Sequence, residues 1–148
     1  MNKIILTLLM CLWLYAAMAT DQRKTVPSGV ITAFKTKYPG AGNESWMNDP
    51  NGYVVRFYNS GKPYTVRFNN KGEWLDETRK LGFGDLENNV KNAFSQSKFA
   101  TWRAYEVNAI QEKNKEIQYR ILIGNSDLQK KYIYYDSKGQ LKKEILTM

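Results

Sequence analysis

Histidine is absent from all 148 residues, and Cys11 is the only thiol. The first absence removes the usual general base of serine and cysteine triads and the commonest transition-metal ligand. The second leaves no intramolecular disulfide, so stability has to come from packing. Although 22 basic residues outweigh 14 acids for a formal charge of +8, there is no dense Lys/Arg block of the kind that tracks a nucleic-acid backbone. Interleaved Arg and Tyr can stack bases in principle, but nucleic acid is not the expected partner. Neither a P-loop nor a dinucleotide fingerprint is present. Asp76-Glu77 is an adjacent carboxylate pair, but neighbours on a strand point to opposite faces, so the two read as solvated groups and not as an acid/base couple. Asp49-Pro50-Asn51-Gly52 lacks the ligand alternation and closing glutamate of an EF-hand and reads as a turn. Lys/Ser or Lys/Tyr chemistry stays open by residue type alone. The expectation is a non-enzyme with no cofactor and no metal.

What is present begins with an export signal. Met1-Asn2-Lys3 is a short basic start, Ile4 to Tyr15 is almost wholly apolar, and Ala17-Met18-Ala19 fits the small-x-small pattern of a cleavage site. The apolar run is shorter than the roughly 20 residues that span a bilayer, so residues 1–19 are expected to be a signal peptide cut after Ala19. Leu8-Leu9-Met10-Cys11 puts Met where a lipidation signal wants a small residue. The expected location is periplasmic or secreted, with no membrane span after cleavage. Cleavage would remove Cys11 and Lys3, lowering the charge from +8 to +7 because every acid lies downstream. A basic exported protein should favour acidic partners. Residues 20–148 are long enough to bury roughly two-thirds of their unfolded surface, which suits one domain.

Within that domain the chain repeats itself. Val66-Arg67-Phe68-Asn69-Asn70-Lys71-Gly72-Glu73-Trp74 returns as Ile133-Tyr134-Tyr135-Asp136-Ser137-Lys138-Gly139-Gln140-Leu141. Upstream, Val30, Ala33 and Phe34 recur as Val90, Ala93 and Phe94, and Ser45-Trp46 as Thr101-Trp102. The pattern predicts a tandem duplication, with repeats at about 26–81 and 84–148.

Each repeat should open with a helix. Val30, Ile31, Phe34 and Tyr38 follow helical spacing between Val26-Pro27-Ser28 and Pro39-Gly40, giving a helix over Pro27 to Tyr38. After the seam at Gly82-Phe83-Gly84, Asp85 is placed to cap a second helix over Leu86 to Ser97. From Trp46 the period changes to two, and Tyr53, Val55 and Phe57 alternate with Val54, Arg56 and Tyr58. Asn59-Ser60-Gly61-Lys62 and Asn70-Lys71-Gly72 are hairpin turns on the way to a strand carrying Trp74. In the second half, strands are expected over Trp102 to Ile110, Ile117 to Ile123, Asp127 to Tyr135 and Leu141 to Ile145. Trp46, Trp74 and Trp102 read as packing residues. The fold class is α+β, with two copies of helix plus four strands giving about eight antiparallel strands and the helices on one face.

Superposing strand parities through the repeat gives Val55, Phe57, Val66, Phe68, Ile121, Ile123, Ile133 and Tyr135 as the helix-covered face. The opposite face then carries Arg56, Tyr58, Thr65 and Arg67 in one half, and Arg120, Leu122, Tyr132 and Tyr134 in the other, with no acid from these four strands. Tyr and Arg are the residues enriched at protein interfaces and their hot spots. Arg56, Tyr58, Arg67, Arg120, Tyr132 and Tyr134 are therefore the candidate contacts for a protein or peptide. Two readings stay open beside this one: a merely solvated face, and an envelope carrier or sensor of a small ligand.

The arrangement resembles the PepSY-like family of exported, beta-lactamase-inhibitor-like bacterial proteins. The elements that carry the resemblance are Val30-x-x-Ala33-Phe34-x-x-x-Tyr38-Pro39-Gly40-Ala41, the following Trp46, and the twice-used Lys-Gly hairpins at Val66 to Gly72 and Ile133 to Gly139. The resemblance implies that the two units join into one curved sheet, as in secreted beta-lactamase inhibitor proteins that grip an enzyme with the open face of such a sheet. The second helix departs in lacking a proline-rich start, and residues 20–148 lack the cysteine pairs of the well-known inhibitors. No inhibitory residue carries over by motif.

Overall fold

A computed structural model of the chain describes residues 25–126 and 129–147. The expected signal peptide lies outside these residues, as does Asp127 at the start of a predicted strand.

Helix α1 spans Ser28–Lys37. It begins after Pro27, whose ring fixes φ at −61° and whose carbonyl accepts from the Val30 and Ile31 amides at 3.0 and 3.2 Å. Pro39 bars continuation. Helix α2 spans Asn88–Ser95 and so is shorter than the expected Leu86 to Ser97. Asp85 does not cap it. That residue belongs to a single 3₁₀ turn over Phe83–Asp85, where its carboxylate accepts from the Gly82 amide at 3.1 Å and from Lys62 Nζ at 3.3 Å. The Gly82 hydrogen bond, followed by Lys62, holds the Asp85 carboxyl below its ordinary value.

Eight strands follow the chain in order: β1 Ala41–Asp49, β2 Gly52–Asn59, β3 Lys62–Asn69, β4 Trp74–Leu81, β5 Arg103–Glu112, β6 Gln118–Ser126, β7 Gln129–Asp136 and β8 Leu141–Leu146. They form a single antiparallel sheet in which each strand pairs with the next. Strand β1 starts five residues before the predicted Trp46. Its register shifts between Gly42 and Ser45, with Asn43 at φ 55°, and this bulge breaks the alternation that would have revealed the strand.

Two apolar cores lie against the sheet. In the first, Val30 and Phe34 of α1 pack on Val55, Phe57, Val66 and Phe68, with Trp46 and Trp74 half-buried at the margin. In the second, Val90 and Phe94 of α2 pack with Ile121, Ile123, Ile133 and Tyr135, and Trp102 sits at the margin. All eight strand residues predicted for the helix-covered face are buried. Each core is tied down by a tyrosine and a carboxylate. The Tyr38 hydroxyl donates to Glu77 at 2.5 Å, and the Tyr119 hydroxyl donates to Glu87 at 2.7 Å. Burial, reinforced by the adjoining carboxylate, raises the Tyr38 phenol and pushes Tyr119 up to about 12. Glu77 is therefore engaged by Tyr38, the residue that follows α1, and not merely solvated.

The repeated Lys-Gly turns follow one plan. Asn69 Oδ1 accepts from the Lys71 and Glu73 amides at 2.9 and 3.0 Å, and Asp136 Oδ1 accepts from the Lys138 and Gln140 amides at 3.0 and 2.8 Å. Asp136 also pairs with Lys142 at 2.9 Å. Lys142, then the Gln140 amide, hold its carboxyl below the ordinary 3.8. Because the folded value is depressed, this contribution to stability is complete well above 3.8 and is lost as the pH falls below it. Asp136→Asn should therefore flatten the acid limb of thermal stability followed by circular dichroism. An acid limb identical to that of the native chain would remove Asp136 as its source.

Candidate functional site

Side chains alternate along a strand, and directly paired residues of neighbouring strands share a face. With Val55 and Phe57 inward, Arg56 and Tyr58 of β2 point away from α1. Ser45, Arg56, Thr65, Thr78, Ile110 and Gln118 stand opposite one another on six successive strands, β1 to β6. A second row runs Lys80, Asn108, Arg120, Tyr134 and Lys143 across β4 to β8. The six candidate contacts fall into two groups, Arg56, Tyr58 and Arg67 on β2 and β3, and Arg120, Tyr132 and Tyr134 on β6 and β7. Between β2 and β6 lie four strand spacings, about 19 Å.

The arginines differ in what surrounds them. Arg67 Nε donates to Asp76 Oδ2 at 2.8 Å, and this hydrogen bond raises the guanidinium above its ordinary value. Arg120 lies 3.4 Å from Glu106 and its guanidinium sits 5.1 Å from the Tyr132 ring. Asn108, itself buried, donates to the same Glu106 at 2.5 Å. The acids come from β4 and β5, outside the four strands from which the face was first read. That face is therefore not acid-free: Asp76 of the supposedly solvated pair and Glu106 neutralise two of its three candidate arginines. These pairs occupy the cations whatever they add to stability.

Arg56 has no acidic partner among the described residues. It lines an open pocket of about 290 Å³ together with Asn43, Ser45, Tyr58, Pro63 and Thr65. Tyr58 is the most exposed aromatic there, 51% accessible, whereas Tyr132 and Tyr134 are half-buried. The bulge in β1 forms one wall by turning Asn43 out of register. The pocket was not legible in the sequence, since neither Asn43 nor Ser45 lay in a predicted strand.

Among the described residues no group of three Cys, Asp or Glu side chains gathers to hold a metal, and no helix is long and apolar enough to cross a membrane. Ser95 to Lys98 has the Ser-x-x-Lys spacing of some acyl-transfer enzymes. Here Ser95 Oγ donates to the Asn92 carbonyl at 2.9 Å while Lys98 Nζ pairs with Glu144 at 2.9 Å. The two side chains face different partners, so the lysine does not activate the serine in this arrangement.

Residues 51–143 match the family model described as "putative beta-lactamase-inhibitor-like, PepSY-like". The chain belongs to the PepSY-like family. No curated protein matches it. Among solved structures it is similar to a DUF2874 family protein from Bacteroides ovatus, at 27% identity and TM-score 0.77 over 82% of this chain and 88% of that one. It is also similar to a chain from Bacteroides eggerthii described under "putative periplasmic proteins", at 25% identity and TM-score 0.76 over 82% and 88%. A BLIP-like protein from Bacteroides fragilis shares the fold at 22% identity and TM-score 0.77, over 82% and 86%.

Proposed function

We propose that this PepSY-like protein is an exported, non-enzymatic binding protein that presents the sheet face away from its helices to a protein or peptide, acting by steric occlusion or scaffolding. The observation that carries this reading is the pairing of a cation with no acidic partner among the described residues, Arg56, with the exposed ring of Tyr58 on an open face. A rigid ring supplies contact area at small entropic cost, and an unsatisfied guanidinium steers acidic groups toward it. Export is supported by the signal-like segment of residues 1–19 and by the neighbour described as periplasmic.

The tandem organisation, about 26–81 and 84–148, draws support from Val30 and Phe34 on α1 and Val90 and Phe94 on α2, which are the buried pairs at matching positions. Register supports both helices lying on one face. Val66 pairs with Glu77, Glu77 with Gln111, Arg79 with Ala109 and Ala109 with Tyr119, which links the two cores through residues of common parity. The small-ligand alternative has the pocket beside Arg56 in its favour.

Tyr58 on β2 and Tyr134 on β7 lie five strand spacings apart, about 24 Å, which suits an interface and not a small molecule. Retention of an envelope partner on the native protein is expected to fall at least about tenfold on a Tyr58/Tyr134 double-alanine version with unchanged circular dichroism. Equal retention by the two versions would overturn the proposal.

A further inference from the structure

Open antiparallel faces carry many arginines that mean nothing beyond solubility, and here the structure separates them. Arg67 and Arg120 have carboxylates supplied by the neighbouring strands, whereas Arg56 has none among the described residues. Of the two acids on β1, Asp49 ends the strand and accepts from the Asn51 amide at 3.1 Å, and Glu44 is turned elsewhere. Glu44 lies within the bulge, with its carboxylate 3.4 Å from Trp46 Nε1, and Trp46 packs edge-on against Phe34 in the first core. On the pocket side, Ser45 and Thr65 stand directly opposite Arg56 on its two flanking strands. Their hydroxyls and the Asn43 amide have no hydrogen-bond partner among the described residues. Among the described residues one cation is thus surrounded by neutral donors and left without a counter-charge.

We infer that the Arg56 pocket is a carboxylate subsite that receives an acidic side chain of a bound peptide segment. This deepens the proposed function and rests on it. The guanidinium would take the carboxylate in a fork of charge-assisted hydrogen bonds, with Ser45 and Thr65 donating to the remaining lone pairs. Size favours one side chain over a whole ligand. At about 290 Å³ the pocket is at the low end of cavities that enclose small molecules, and it is open to solvent. The exposed Tyr58 ring at its rim offers a surface to the peptide on either side of the acidic residue, which a free carboxylate could not use.

The test is a titration of the isotopically labelled protein, produced from its full-length sequence, followed by amide resonances. The probes are a blocked pentapeptide with one glutamate among glycines, its glutamine counterpart, and glutarate. The glutamate peptide should move the Ser45, Arg56 and Thr65 signals and bind roughly tenfold or more tightly than the glutamine peptide. It should also bind more tightly than glutarate. Arg56→Ala should abolish the response, Arg56→Lys should restore part of it, and Lys35→Ala, at an exposed cation on α1, should leave it intact. Equal binding of the glutamate and glutamine peptides would overturn carboxylate recognition. Glutarate binding as tightly as the peptide would overturn the peptide source and make the pocket a site for free acids. Changes confined to exposed lysines would remove the site altogether. Any of these failures beside a partner still lost on the Tyr58/Tyr134 version would sink this inference alone and leave the binding face standing.

Discussion

Replacing Phe34 by alanine should cost about 3–5 kcal/mol of folding stability, a large part of what a domain of this size possesses. The residue is 0% exposed, and its ring meets four others. It stands edge-on to Phe57 at 4.9 Å, to Trp46 at 5.3 Å and to Phe68 at 6.4 Å, and lies tilted against Tyr38 at 5.6 Å. Three of those partners come from different strands, so removing the ring empties the point where α1, β1, β2 and β3 converge. Collapse around the void is hindered because four of its neighbours are themselves rigid aromatics. Phe94, at the matching position on α2, is slightly more exposed and has a single ring neighbour among the described residues, Phe83 at 5.2 Å. Guanidinium denaturation should therefore place Phe34→Ala well below Phe94→Ala in midpoint, with similar slopes. Equal midpoints would mean that the first core is not organised around this ring. The same change should loosen β2, whose outer face carries Arg56 and Tyr58, so packing and the candidate site are coupled through one strand.

That coupling explains which parts of the molecule could be read from the chain. Parities on β2, β3, β6 and β7 were legible because one face of each strand is buried, and burial imprints a period of two on residue type. α1 was legible because Pro27 and Pro39 bracket it. The first half of β1 was not, since the bulge at Asn43 disrupts the alternation and the Gly42 region resembles a loop. The charge state of the open face was also hidden. Whether Arg67 meets Asp76 depends on the register of β3 against β4, which contains its own irregularity between Arg67 and Phe68. The proposed site, Arg56 with Ser45, Thr65 and Tyr58, is defined by which arginine its described neighbours fail to neutralise. Composition places arginine on this face, and pairing decides which arginine stays available.

The repeated Lys-Gly turn was the clearest sequence signal, and its physical reason yields the second large effect. Gly72 and Gly139 adopt φ of 81° and 79°, a region that costs a residue with a side chain about 1–3 kcal/mol. Both also press against a helix. A Cβ on Gly72 would come 3.2 Å from the Gly29 carbonyl oxygen, whereas one on Gly139 would come 2.5 Å from the Asn89 carbonyl oxygen. The first contact can be relieved by a small shift. Both contacts are with helix backbone, but at 2.5 Å the second overlap is too deep for such a shift, and α2 would have to move away from the turn. Gly139→Ala should accordingly destabilise more than Gly72→Ala, which carries the conformational cost with little overlap. Thermal unfolding of the two variants would check the order. If Gly72→Ala proved equal or worse, close approach of the turn to α2 would not be what requires glycine at position 139, and conformation alone would account for the recurrence of the motif.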